Sequence, residues 1–193
     1  MSAALVPNFS TVFASFAPEV SYATGSSPYS VTSLDANGDG KMDLAVANAS
    51  SSTVSVLLSR GDGTFASKVD YATGTTPYSV TSLDANGDGI RDLVVANVGS
   101  NTVSVLQGKG DGTFSAKFDY ATGIEPNSVI GLDANGDGKM DLAVANYNSG
   151  TVSVLLNNGN GTYAAKVDYA IVGSNLYLVG HAKFDFQKAP CTA

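Results

Sequence analysis

Three nonapeptides concentrate the oxygen chemistry of this 193-residue chain. The first is Asp35-Ala36-Asn37-Gly38-Asp39-Gly40-Lys41-Met42-Asp43, and it recurs from Asp84 to Asp92 and from Asp133 to Asp141. Side-chain oxygens stand at loop positions 1, 3, 5 and 9. They belong to Asp35, Asn37, Asp39 and Asp43 in the first loop, and to Asp84, Asn86, Asp88 and Asp92 in the second. The third loop has Asp133, Asn135, Asp137 and Asp141. Glycine at position 6 permits a sharp turn. Position 7 offers its backbone carbonyl, so Lys41, Ile90 and Lys139 can differ in side chain. A hard cation that needs six to eight oxygens is wrapped by a short loop in this way. Three carboxylates and one amide per loop favour Ca²⁺ over Mg²⁺, with a dissociation constant of about 10⁻⁶ to 10⁻³ M and about three ions per chain.

An EF-hand shares the first half of this pattern but needs Glu at position 12 between two helices. Val46, Val95 and Val144 stand at position 12 here, inside predicted strands, so an EF-hand is rejected. The competing reading makes the Asp and Asn residues Asx-turns in hairpins. Recurrence of all four side-chain ligands in three copies weighs against it. So does charge. Nine of the 17 acidic residues lie in the loops, three per loop, where they repel one another without a cation. Three Ca²⁺ would take the formal charge from −7 to −7 + 6 = −1.

The loops recur because the whole chain repeats. Tyr22-Ala-Thr-Gly25 returns as Tyr71-Ala-Thr-Gly74 and Tyr120-Ala-Thr-Gly123, each 71 − 22 = 120 − 71 = 49 residues on. Residues 22–70, 71–119 and 120–168 align without gaps as repeats 1, 2 and 3. Residues 1–21 hold an N-terminal segment in which Phe16 and Val20 match Phe65 and Val69, the outer strand of a partial blade. Residues 169–193 begin a further repeat and then lose the pattern, with Ala182 where a fourth loop would start.

Each repeat predicts four short strands, at Ser30–Leu34, Leu44–Ala47, Thr53–Leu58 and Phe65–Tyr71 in the first. Leu44 to Ala47 is apolar throughout, as in a strand buried on both faces. In the third strand Val54, Val56 and Leu58 share one face and Ser55 takes the other. In the fourth, Phe65, Val69 and Tyr71 oppose Lys68 and Asp70, which suits an outer edge. Four strands in 49 residues are the mark of a β-propeller blade. The fold expected is all-β: about three full four-stranded antiparallel blades plus partial blades at each end, an incomplete propeller.

With these residues in view, the chain resembles the FG-GAP/VCBS repeat family. The resemblance is carried by Val31 to Asn48 with its metal loop, by Thr53-Val-Ser-Val-Leu-Leu58 and by Gly61-Asp-Gly-Thr-Phe65. That family builds the integrin α-chain propeller and many bacterial extracellular proteins. The resemblance implies calcium at Asp35, Asn37, Asp39, the Lys41 carbonyl and Asp43, and at their counterparts in the other two loops. It also implies seven or so blades, an extracellular or cell-surface setting, and adhesion or ligand binding. Three repeats are too few to close a ring of about four to eight blades. A fragment of a longer parent, an open arc, and a pair of chains sharing one ring all remain open.

Other chemistry is sparse. Only 14% of residues are charged, and the net charge of −7 argues against nucleic acid as partner. No run of about 18 apolar residues predicts a membrane span, and residues 1–7 lack the pattern of a secretory signal. Single copies of His181 and Cys191 exclude His clusters and internal disulfides. Sequons at Asn8, Asn48 and Asn160 read as chance in a Ser/Asn-rich chain. Identical carboxylates in every repeat do not make the unlike groups that an active site needs. A noncatalytic calcium-binding module is therefore expected. A carbohydrate-binding propeller lectin, with Tyr29, Tyr78 and Asn127 lining a cleft, is the alternative. A further alternative is an accessory domain of a secreted polysaccharide-acting enzyme.

Overall fold

A computed structural model describes residues 18–170. Twelve strands and no helix occur among them. The first four are β1 (Pro28–Leu34), β2 (Asp43–Asn48), β3 (Thr53–Leu57) and β4 (Val69–Ala72). The next are β5 (Pro77–Leu83), β6 (Asp92–Asn97), β7 (Thr102–Leu106) and β8 (Phe118–Ala121). The last are β9 (Pro126–Leu132), β10 (Asp141–Asn146), β11 (Thr151–Leu155) and β12 (Val167–Ala170). They form three antiparallel sheets in the orders β1-β2-β3-β4, β5-β6-β7-β8 and β9-β10-β11-β12. The three sheets do not close into a ring. Of the N-terminal segment only residues 18–21 are described, and they lie in no strand. The divergent tail, His181, Cys191 and Asn8 fall outside the described residues.

Sheet stacking explains why the second strand of each repeat is apolar on both faces. Ala45 and Ala47 of β2 pack with Leu93 and Val95 of β6 in one buried cluster. Val94 and Ala96, on the other face of β6, pack with Leu142 and Val144 of β10. Every β6 side chain is therefore buried. The first strands β1, β5 and β9 lie side by side on the inner edge, where the Val80 amide donates to Ser30 Oγ at 3.3 Å and the Val129 amide to Ser79 Oγ at 3.3 Å. At the outer edge Tyr71 meets Phe114 edge-on at 5.5 Å, and Tyr120 meets Tyr163 likewise at 5.5 Å.

One strand reading needs correction. The fourth strand is Val69–Ala72, not Phe65–Tyr71. Phe65 instead closes a small hairpin by bridging Ser59, because Gly61 and Gly63 adopt positive φ and fold the chain back. Ser55, on the face opposite Val54 and Val56, is fully buried. Asn48 Nδ2 donates to Ser55 Oγ at 2.8 Å, and Ser55 Oγ donates to Asp70 Oδ1 at 2.6 Å. The same relay joins Asn97, Ser104 and Asp119, and Asn146, Ser153 and Asp168. Burial of Asn48 also removes it as a glycosylation acceptor.

The relay sets a demand on the Tyr-Ala-Thr-Gly motif. The Gly74 amide donates to Ser104 Oγ at 3.0 Å. A Cβ on Gly74 would lie 2.4 Å from Ser100 Oγ and 2.7 Å from Asn97 Nδ2. Gly74→Ala is expected to cost about 1–3 kcal/mol by overpacking. Urea unfolding checks this, and an unchanged midpoint would show that the close approach is dispensable.

Candidate metal centre

Each Asp-rich loop leaves the inner strand of its sheet and returns into the second strand. Gly38 and Gly40 take φ of 73° and 78°, a left-handed conformation that disfavours side chains. The loop is then held by its own carboxylates. Asp35 Oδ1 accepts the Gly38 amide at 2.8 Å and Oδ2 the Gly40 amide at 2.9 Å. Asn37 Oδ1 accepts the Asp39 amide at 3.1 Å, and Asp39 Oδ1 the Lys41 amide at 2.9 Å. The second and third loops repeat these bonds from Asp84, Asn86 and Asp88 and from Asp133, Asn135 and Asp137.

The position-9 carboxylates have a different setting. Asp43, Asp92 and Asp141 are fully buried at the start of the second strand. Asp43 accepts the Ala36 amide at 3.0 Å and the Ser59 amide at 2.7 Å. Asp92 takes the Ala85 and Gly108 amides at 2.9 and 2.8 Å, and Asp141 those of Ala134 and Asn157 at 3.0 and 2.8 Å. Each one ties its loop to the hairpin that follows the third strand. Spacing alone singles these residues out as candidate ligands but does not reveal this second tie.

Among the described residues no group of three or more Asp, Glu, His or Cys side chains is drawn into a metal-holding cluster. The donors nonetheless suit a hard cation. All are oxygens, and an oxygen that accepts one amide keeps a second lone pair. In two loops a cation already stands against position 5: Lys41 Nζ lies 3.1 Å from Asp39 Oδ2, and Lys139 Nζ 3.1 Å from Asp137 Oδ2. The Lys41 amide and then its ammonium hold the Asp39 carboxyl below its ordinary value, and Lys139 does the same for Asp137. The second loop has Ile90 in that place. There burial, with the charges of Asp88 and Asp84 adding to it, pushes Asp92 up despite its two amide donors.

The carboxylates of the outer strands respond oppositely. At Asp70 and Asp168 burial raises the carboxyl. The neighbouring Lys68 or Lys166 ammonium and the relay serine outweigh it, so both end below the ordinary carboxylate value. A depressed carboxyl stabilises the fold above its unfolded pKa, and that contribution is lost as pH falls through the folded value. Melting temperature is therefore expected to drop as pH is lowered from about 4 towards 2. Ser55→Ala, which removes one donor, is expected to flatten the drop; equal pH profiles would contradict the assignment.

The sheets and their stacking define a β-propeller-type repeat array. The chain belongs to the FG-GAP-like repeat family, whose model matches residues 35–95, 84–144 and 133–187. Each match begins at the first aspartate of a loop. No curated protein matches the chain. Among solved structures it is similar to a protein of unknown function from Desulfotomaculum acetoxidans DSM 771, at 19% identity and TM-score 0.59 over 75% of this chain and 42% of that one. It is similar to an Agrocybe aegerita lectin that specifically recognises non-reducing terminal N-acetylglucosamine, at 21% identity and TM-score 0.50 over 72% and 37%. Kuenenia stuttgartiensis hydrazine synthase matches at 17% identity and TM-score 0.52 over 81% and 40%. At these identities the likeness is one of fold. The chain spans less than half the length of each. No helix among the described residues is long and apolar enough to cross a membrane.

Proposed function

We propose that the chain is a noncatalytic, calcium-stabilised repeat module that serves extracellular binding or adhesion. The observation that carries the reading is the threefold oxygen-only loop, anchored by a fully buried aspartate in every sheet. Asp35, Asn37, Asp39, the Lys41 carbonyl and Asp43 would hold one ion. Their counterparts in the second and third loops would hold two more. The ion would supply charge neutralisation and cross-linking of the loop to its sheet, and no bond-making step. The extracellular setting follows from the family's usual use.

Trypsin tests the reading directly. Lys41, Arg91 and Lys139 all lie inside the loops and are exposed. Calcium is expected to slow cleavage after these residues at least about tenfold relative to chelator, because it closes the local opening that a protease needs. Equal cleavage patterns with and without calcium would defeat the proposal.

A further inference from the structure

The hairpin that follows the third strand of each sheet differs in one residue that faces the metal loops. Repeat 3 has Asn157 where repeats 1 and 2 have Ser59 and Gly108. Asn157 is 5% exposed. Its backbone amide donates to Asp141 Oδ1 of the third loop at 2.8 Å, and its Oδ1 accepts the Gly159 amide at 2.7 Å. Its Nδ2 serves two loops at once. It donates to the Met140 carbonyl of the third loop at 2.9 Å and to the Ala85 carbonyl of the second at 2.8 Å. Ala85 in turn donates its amide to Asp92 Oδ2 at 2.9 Å. An unbroken run of hydrogen bonds therefore joins the buried aspartates of the two loops, from Asp92 through Ala85 and Asn157 to Asp141. The same hairpin exchanges Phe65 and Phe114 of the other repeats for Tyr163. The Tyr163 hydroxyl donates to the Met140 carbonyl at 3.3 Å, and its ring packs in the same buried cluster as Ala85. The first and second loops are joined less directly. There the Ala36 carbonyl accepts the Gly112 amide at 3.0 Å, and Gly112 reaches Gly108, the partner of Asp92, only through the glycine turn between them.

We propose that Asn157 couples the second and third loops, so that a cation held by either one raises the affinity of the other. The inference rests on the calcium reading of the loops. A loop that has to be ordered before it can hold an ion binds more weakly for that reason, and whatever orders it beforehand strengthens binding. An ion in the third loop fixes Asp141, and with it the amide and side chain of Asn157. Asn157 then holds the Ala85 carbonyl. Ala85 stands between two candidate ligands, Asp84 and Asn86, while its amide holds a third, Asp92. The second loop thus meets its own ion already in place. The element with two states is the loop itself, closed on its sheet or locally opened. The same bonds act in the other direction, because coupling between two binding sites is reciprocal. Asn157 lies outside both ligand sets and acts through Ala85 and Asp141, so it is a positioning residue.

Calcium titration of the full chain followed by NMR tests this, with the Gly40, Gly89 and Gly138 amides reporting the three loops separately. Asp137→Ala disables the third loop by removing an exposed carboxylate. With Asn157 in place it is expected to weaken calcium binding at Gly89 about fivefold or more. Asn157→Ser introduces the residue of repeat 1, where Ser59 Oγ accepts the Gly61 amide at 3.1 Å much as Asn157 Oδ1 accepts that of Gly159. It keeps the backbone bond to Asp141 and removes the bonds to Ala85 and Met140. In that background Asp137→Ala is expected to change the Gly89 affinity by less than about twofold. Asn157→Gly, the residue of repeat 2, is expected to act like Asn157→Ser. Urea unfolding in chelator checks that each variant is folded. A residue that merely stabilised its hairpin would leave the effect of Asp137→Ala on Gly89 intact in both backgrounds. That result overturns the coupling while the calcium reading stands, as does an Asp137→Ala that leaves Gly89 within about twofold when Asn157 is present. Absence of calcium-dependent shifts at all three glycines overturns the calcium reading and the coupling with it.

Discussion

Asp92→Ala is expected to destabilise the chain by about 2–5 kcal/mol in urea unfolding. The carboxylate is fully buried and accepts two backbone amides, Ala85 from the loop and Gly108 from the hairpin beyond β7. Alanine leaves both donors buried and unpaired, at about 1–3 kcal/mol each. For a domain whose total stability is about 5–15 kcal/mol that is a large share. Asp92→Asn separates two roles of the residue. Its amide oxygen can keep one of the two bonds, and it carries no charge into a site where burial and the Asp84 and Asp88 charges already oppose ionisation. In chelator Asn is therefore expected to cost much less than Ala. In calcium it is expected to be worse than wild type by more than in chelator, since a ligand charge is gone. A loss below about 0.5 kcal/mol for Asp92→Ala would place it among ordinary surface substitutions and remove the tie from the account.

Chelation is the second large effect. An ion present at ten times its dissociation constant adds about 1.4 kcal/mol per site by linkage. Three sites give about 4 kcal/mol. At about 2–4 °C per kcal/mol for a chain of this size, excess chelator is expected to lower the melting temperature by roughly 8–16 °C. The loops are not expected to contribute equally. In the first and third, Lys41 and Lys139 already neutralise part of the position-5 carboxylate and must yield it to the ion. The second has no such competitor at Ile90, and its Asp92 is the carboxyl that burial, with repulsion from Asp88 and Asp84 added, raises. Asp88→Ala is accordingly expected to remove more of the calcium-dependent shift than Asp39→Ala or Asp137→Ala. Superimposable melts with calcium and with chelator would contradict the stabilising role.

The repeat, the sheet order and the loop positions were legible because they are local. A spacing of 49 residues, glycines where φ turns positive and an apolar run such as Leu93-Val-Val-Ala96 each report their own backbone setting. What escaped reading depends on stacking. Ser55 reads only as the residue opposite the valine face, and its burial between the Asn48 amide and the Asp70 carboxylate emerges only in the folded sheet. Phe65 reads as strand because its type favours strands, whereas the glycine turn before it commits it to a hairpin bridge. The lysines at position 7 read as irrelevant side chains and prove to be ion-paired with the position-5 aspartates. The stacked Tyr29–Tyr78 pair was visible only as a recurring residue type.

Isothermal titration of chelator-stripped protein with Ca²⁺, beside a Mg²⁺ control, tests the central claim most directly. Close to three ions per chain, dissociation constants of about 10⁻⁶ to 10⁻³ M and much weaker Mg²⁺ binding are expected. No heat of binding up to several millimolar Ca²⁺ on folded protein would mean that the loops are turns held by their own carboxylates, and the calcium reading would fall.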